Sequence, residues 1–258
     1  MLNQIQDYIA VFDSGLGGIS VLRHLRARMP QERYLYFGDS ANAPYGAKST
    51  EEAQALTLAA AERLLRRDVK ALVVACNTAT AAAIQPLRQA HPDLIIIGME
   101  PALKPAAEHF PQGCVGVMAT PLTLREEKFI RLLHRFDESC RIVPIPAPGL
   151  VELVEQGKAN SPQSLALLES ILSPYCGKLD ALVLGCTHYP FAKPTIAKIL
   201  GNRTQLLDGG PGTARETQRR LAAAGLLRSG TGELILENSL PGEEILALAR
   251  HLAETELP

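Results

Sequence analysis

The chain has 258 residues, 47% of them apolar and 21% charged, with a formal net charge of −1. That length and balance suit a globular protein with ample core, and they exclude the basic footprint of a nucleic-acid binder and the long apolar run of a membrane span. Five cysteines, an odd number, match neither a disulfide framework nor a Cys-x-x-Cys zinc pattern, so free thiols in a reducing, cytoplasmic setting are expected.

In chain order, residues 8–12 read as a first strand that runs into Asp13-Ser14-Gly15-Leu16-Gly17-Gly18 and then a helix over 20–29. A strand, a glycine turn and a helix start is how phosphate sites begin, because backbone N–H groups there attract anions. The spacing fits neither Gly-x-Gly-x-x-Gly nor the Walker pattern, and a carboxylate would suit the turn equally. Asp13 would also serve as a plain helix cap. A strand over 33–37 leads to a loop holding Asp39, Asn42, Pro44, Tyr45 and Gly46. Ser49 and Glu52 form a capping-box pattern that opens a helix to about 67, with Leu56, Leu64 and Leu65 on its apolar face.

Residues 71–75 are an uninterrupted apolar run ending in Cys76-Asn77-Thr78, followed by a helix to 90 and a strand over 94–99. The second half restarts with a strand over 114–119, a helix over 122–136 and a strand over 141–145. Pro144, Pro146 and Pro148 mark the passage to residues 149–155. Ser161-Pro162 starts a helix to about 175. Residues 181–185 then repeat the earlier run, ending in Cys186-Thr187-His188 ahead of a helix over 191–200. Strands over 205–208 and 233–237 and helices over 212–227 and 243–254 close the chain.

Apolar runs alternating with helices predict βαβ units and parallel sheets buried on both faces. The interval from Cys76 to Cys186 is close to that from Ser14 to Thr120, and both pairs end similar strands. Parallel strands resemble one another, but the matched order favours two pseudo-symmetric α/β lobes with a cleft between them. The expected division is residues 1–97 with 208–258 in one lobe and 98–207 in the other. Each cysteine then falls at the carboxyl end of a strand, where open α/β sheets bind ligands.

A thiolate is both nucleophile and base, and a helix start favours it. Two thiols facing one cleft suit a reaction in which a proton leaves one face of a carbon and returns on the other. A redox pair, a zinc site from Cys76, Cys186 and His188, and a Cys-His nucleophile for hydrolysis compete with that reading. Cys114, Cys140 and Cys176 sit in no such context and read as structural.

The motifs Asp13-Ser14-Gly15-Leu16-Gly17-Gly18, Pro44-Tyr45-Gly46, Ala75-Cys76-Asn77-Thr78-Ala79, Glu100-Pro101-Ala102, Ala119-Thr120 and Gly185-Cys186-Thr187-His188-Tyr189-Pro190 closely resemble the glutamate racemase family, collinearly from about residue 8 to 210. The resemblance implies two α/β lobes, interconversion of L- and D-glutamate for peptidoglycan, and no cofactor or metal. It implies Cys76 and Cys186 as the acid/base pair, assisted by Asp13, Glu155 and His188. Ser14, Tyr45, Gly46, Asn77, Thr78, Thr120 and Thr187 would line the substrate site with Asp13 and His188. Glu152, three residues before Glu155, competes for the auxiliary role. A small-molecule substrate, a homodimer, and no nucleic-acid or membrane partner are expected.

Overall fold

The computed structural model describes residues 7–125, 127–136 and 139–255, with residue 128 as backbone only. The first half holds β1 (Tyr8–Asp13), α1 (Ile19–Arg28), β2 (Arg33–Gly38), α2 (Thr50–Leu65), β3 (Val69–Val74), α3 (Asn77–Ala90), β4 (Ile95–Gly98) and α4 (Leu103–His109). Next come β5 (Cys114–Ala119), α5 (Pro121–Arg125), α6 (Glu127–His134), β6 (Arg141–Pro146), α7 (Leu150–Glu155) and α8 (Pro162–Leu172). The chain continues through β7 (Ala181–Leu184), α9 (Lys193–Leu200), β8 (Gln205–Asp208), α10 (Gly210–Ala223), β9 (Glu233–Asn238) and α11 (Glu243–Glu254). No helix among the described residues is long and apolar enough to cross a membrane.

The strands form two sheets, ordered β4-β3-β1-β2-β9 and β8-β7-β5-β6, with every described pairing parallel. The expected α/β class with flanking helices therefore holds. Replacing β1 to β4 by β5 to β8 turns the first order into the second, and only β9 lacks a counterpart. The register matches too: Phe12 pairs with Val74 and Met118 with Leu184. Cys76 and Cys186 each follow two residues beyond these pairs, so both stand at the same height on their sheets.

Alternation along the strands fills a core on each face, as parallel sheets require. In the first sheet Val11, Val73 and Ile97 face Leu22 and Leu25 of α1, while Phe12, Leu72 and Val74 face α2 and α3. In the second sheet Val117 and Val183 pack with Leu103 and Phe129, and Met118, Leu182 and Leu184 with Leu168 and Ile196. Val154 and Phe191, from the second sheet's side, belong to the first sheet's core, which joins the two units through apolar contact.

Two expected details change, at the end of β6 and after Cys186. The expected helix over 122–136 is borne out on both sides of residue 126, which lies outside the described residues, as α5 and α6. Helix α2 buries Ala53, Thr57, Ala60, Ala61 and Leu64, and Leu56 and Leu65 pack half-buried against the same core, as expected of its apolar face. The strand expected over 141–145 runs one residue further, so that Pro146 joins Pro144 inside β6. They are tolerated because β6 is an edge strand, where a missing N–H need not break a ladder. Cys76 caps α3 directly, whereas Cys186 is followed by a single 3₁₀ turn, Tyr189–Ala192, before α9.

At the amino end of the first sheet, buried Lys70 Nζ lies 2.5 Å from Glu32 Oε2 and donates to the Leu226 carbonyl at 2.8 Å. The Arg228 N–H donates to Glu32 Oε1 at 2.9 Å, so the pair pins the loop that leads into β9. Lys70→Met strands a buried carboxylate and should cost about 3–5 kcal/mol in urea unfolding. Lys70→Met with Glu32→Leu should cost clearly less; a double variant no better than the single one would overturn this account.

Candidate active site

The Cys76 thiol is the N-cap of α3, with its sulfur accepting the Ala79 N–H at 3.4 Å and its S–H directed at Ser14 Oγ at 3.4 Å. Burial, with the nearby Asp13 carboxylate, pushes its pKa up to about 12, so Cys76 rests as a thiol. Asp13 is fully buried at the tip of β1. It accepts the Gly15 N–H and, from the other sheet, the Thr187 hydroxyl, both at 2.9 Å. Burial raises its pKa despite His188 and these two donors.

Cys186 has different company. Its Sγ lies 3.7 Å from His188 Nδ1, and His188 Nε2 lies 2.6 Å from Glu155 Oε1. Glu155 reaches across from the end of α7 to the first sheet, accepting the Leu16 N–H at 2.5 Å and the Ser40 hydroxyl at 2.9 Å. Burial opposes a charge on His188, but the Cys186 sulfur and the Glu155 carboxylate hold its pKa well above the ordinary value. Burial would likewise raise Glu155, yet His188, Leu16 and Ser40 together hold it below the usual carboxylate value. The Gly17 N–H also points at His188 Nε2 at 3.2 Å. The closer, charged carboxylate takes the Nε2 proton, which makes Gly17 a close neighbour rather than a donor.

The glycine turn works by being small. None of its glycines has positive φ, so the backbone alone would accept other residues there. A Cβ on Gly15 would lie 2.1 Å from Glu155 Oε1, and one on Gly17 2.3 Å from His188 Nδ1. The N–H groups of Gly15 and Leu16 are taken by Asp13 and Glu155. The carboxylate at this turn is therefore the chain's own, and the phosphate-site reading falls away.

Of the predicted residues, all except Asp13 and Glu155 line one cavity of about 10 Å³, and those two stand just behind it. Tyr45 contributes its ring, because its hydroxyl donates to Asp39 at 2.7 Å. Asn77 is buried with neither end of its amide bonded to any described residue. Such a group is costly unless a ligand satisfies it. Thr78 and Thr120 meet at 3.4 Å across the two sheets, and both reach Thr123, at 3.0 and 2.9 Å.

Thr123 and Ser40 escaped the sequence reading. Thr123 follows Thr120 by about one helical turn, a signal that was available; Ser40 lies 115 residues from Glu155 and carried none. Glu152 is exposed, and Glu155 is the residue that touches His188. No lysine or arginine lines the cavity. Among the described residues no cluster of three or more His, Cys, Asp or Glu side chains is placed to hold a metal ion.

The two thiols should differ in solution. Iodoacetamide at pH 7 should label Cys186 before Cys76, as read by mass spectrometry, because Cys76 rests protonated and Cys186 has a nitrogen beside it. His188→Ala should slow Cys186 labelling about tenfold and leave Cys76 unchanged. Equal labelling of both thiols in the unaltered protein would overturn the assignment.

The sequence pattern of Asp/Glu/hydantoin racemases matches residues 19–217. A glutamate racemase from Clostridium perfringens is 45% identical over 249 residues, covering 95% of this chain and 96% of the relative. The crystal structure of Escherichia coli glutamate racemase with L-glutamate and the activator UDP-MurNAc-Ala superposes with a TM-score of 0.82, at 31% identity and 95% coverage of both chains. That of Francisella tularensis glutamate racemase with D-glutamate gives 0.84 at 28% identity, covering 98% of this chain and 95% of the other. With two strand-tip thiols on one cavity and these relatives along nearly its whole length, the chain belongs to the Asp/Glu/hydantoin racemase family.

Proposed function

We propose that this protein interconverts L- and D-glutamate by moving the α-proton between two thiols, with no cofactor or metal, and so supplies D-glutamate for peptidoglycan in the cytoplasm. The observation that carries the reading is the placement of Cys76 and Cys186, from matching positions on two sheets, on one cavity beside an unsatisfied amide. The relatives that bind L- and D-glutamate support the choice of substrate.

In the L-to-D direction Cys186 takes the α-proton, with His188 Nδ1 as the partner that accepts and returns its own proton. Cys76, resting as a thiol, donates S–H to the opposite face, and the carbon inverts. In the other direction the roles exchange. The start of α3 at Asn77 and Thr78, with the unpartnered Asn77 amide, supplies donors for the two carboxylates. Buried Asp13, or a hydroxyl of the cavity, would hold the ammonium.

We also read the two sheets as two lobes that divide near residues 98 and 208; the packing of α10 on α1 and β4 supports the second boundary. A cavity of about 10 Å³ has room for one water at most, so the lobes part to admit substrate. We expect a homodimer, which light scattering would test.

Incubation with L-glutamate in deuterium oxide should give D-glutamate carrying deuterium at the α-carbon, while L-aspartate stays unexchanged. Exchange with neither compound would leave a binding protein, and exchange confined to aspartate would select an aspartate racemase. Cys76→Ser and Cys186→Ser should each lose racemisation by at least about a hundredfold. Each should still eliminate from one enantiomer of a β-substituted glutamate, Cys76→Ser from the L form and Cys186→Ser from the D form. The same preference in both variants would sink the two-thiol mechanism.

The pH dependence follows from His188. Its folded pKa stands well above the ordinary 6.5, so the stability carried by its charge is complete below 6.5 and is lost only as pH rises through the raised value. The alkaline limb of kcat/KM should therefore lie well above 6.5, and Glu155→Gln should bring it down. An alkaline limb at 6.5 in the unaltered protein would contradict the ion pair.

A further inference from the structure

We propose that Asn238 and Ser40 form a one-way donor chain that sets the proton polarity of the Cys186 base through Glu155 and His188. The proposal rests on the racemase reading above and assigns positioning residues to it. Asn238 closes β9 opposite Gly38. Its Oδ1 accepts the Leu240 N–H at 2.9 Å, which turns its Nδ2 toward Ser40 Oγ, also at 2.9 Å. The orientation of the amide follows from that bond, since an N–H cannot face the Leu240 N–H. Gly38 leaves the room: a Cβ there would lie 3.0 Å from Asn238 Nδ2 and 2.4 Å from the Gly15 carbonyl oxygen.

Because Ser40 Oγ accepts from Asn238, its single hydrogen is free to donate to Glu155 Oε2 at 2.9 Å. The turn carrying Ser40 is held as well: Ser239 Oγ accepts the Ala41 N–H and the Ser239 N–H donates to the Gly38 carbonyl, both at 2.9 Å. Glu155 thus receives the Ser40 hydroxyl and the Leu16 N–H, both of which favour its anion. An anionic Glu155 makes His188 Nε2 the donor in their bond, and Nδ1 becomes the atom that trades a proton with Cys186. Among the described residues the Cys76 sulfur has only Ser14 and the Ala79 N–H as hydrogen-bond partners, so the device serves one thiol. It originates in β9, which has no counterpart in the second sheet and lies beyond the residues 19–217 that match the family pattern.

Ser40→Ala and Asn238→Ala should lower kcat about tenfold with little change in KM, and Ser40→Thr should restore it. The readout that mere loosening would not move is the primary isotope effect with α-deuterated substrates. It should rise for L-glutamate, whose proton Cys186 takes, and fall for D-glutamate. Equal shifts for both enantiomers, or unchanged isotope effects with unchanged kcat, would overturn the chain. Nitrogen-15 NMR of the His188 ring tests the polarity without substrate. In the neutral ring, at a pH above the alkaline limb, Nε2 should carry the proton in the unaltered protein, and that preference should weaken in Ser40→Ala. An unprotonated Nε2 would overturn the chain even where racemisation proceeds, whereas absence of racemisation would overturn the function alone.

Discussion

The buried bond between His188 and Glu155 is the interaction on which the closed site depends. It joins a loop after β7 to the end of α7, and through Leu16 and Ser40 it ties both to the first sheet. A buried ion pair contributes only where its remaining positions are satisfied, and here Glu155 finds donors on the opposite sheet. With the sheets apart, Glu155 would keep His188, which lies on its own side, but would lose the Leu16 and Ser40 donors that favour its anion.

The two halves of the molecule share a strand order and a register, yet they present unlike thiols. The scaffold repeats the position of each sulfur; the neighbours differ. Cys76 caps a helix beside a carboxylate and is pushed toward the protonated form. Cys186 follows a strand of the same height but meets an imidazole. The difference between the two sulfurs is supplied by neighbours, on a common frame.

Much of the fold was legible because its signals are local. Continuous apolar runs at Ala71 and Ala181, ending in cysteine, predicted buried parallel strands, and Ser49 with Glu52 predicted the capping box that opens α2. The cavity wall was legible through the same strand ends. What escaped depends on residues distant in sequence. Ser40 gains meaning only from Glu155 and Asn238, and the glycines of the first turn only from the side chains that press against them from the other sheet. Pro144 did not hide β6, and the strand runs only one residue further than expected, through Pro146, because an edge strand tolerates proline.

Strand β9 also bears on how the chain avoids its neighbours. Until it docks, β2 offers an unpaired row of backbone groups along Tyr34, Leu35, Tyr36 and Phe37, a segment prone to pair with other chains. Its partner comes 200 residues later in sequence, so this hazard lasts through most of synthesis. Once in place, β9 presents Glu233 and Glu237 at the new margin, paired with Arg33, Arg63 and Arg67. An outermost strand bordered by charged pairs is a poor template for aggregation, so the late strand makes the finished molecule safer company than its precursor.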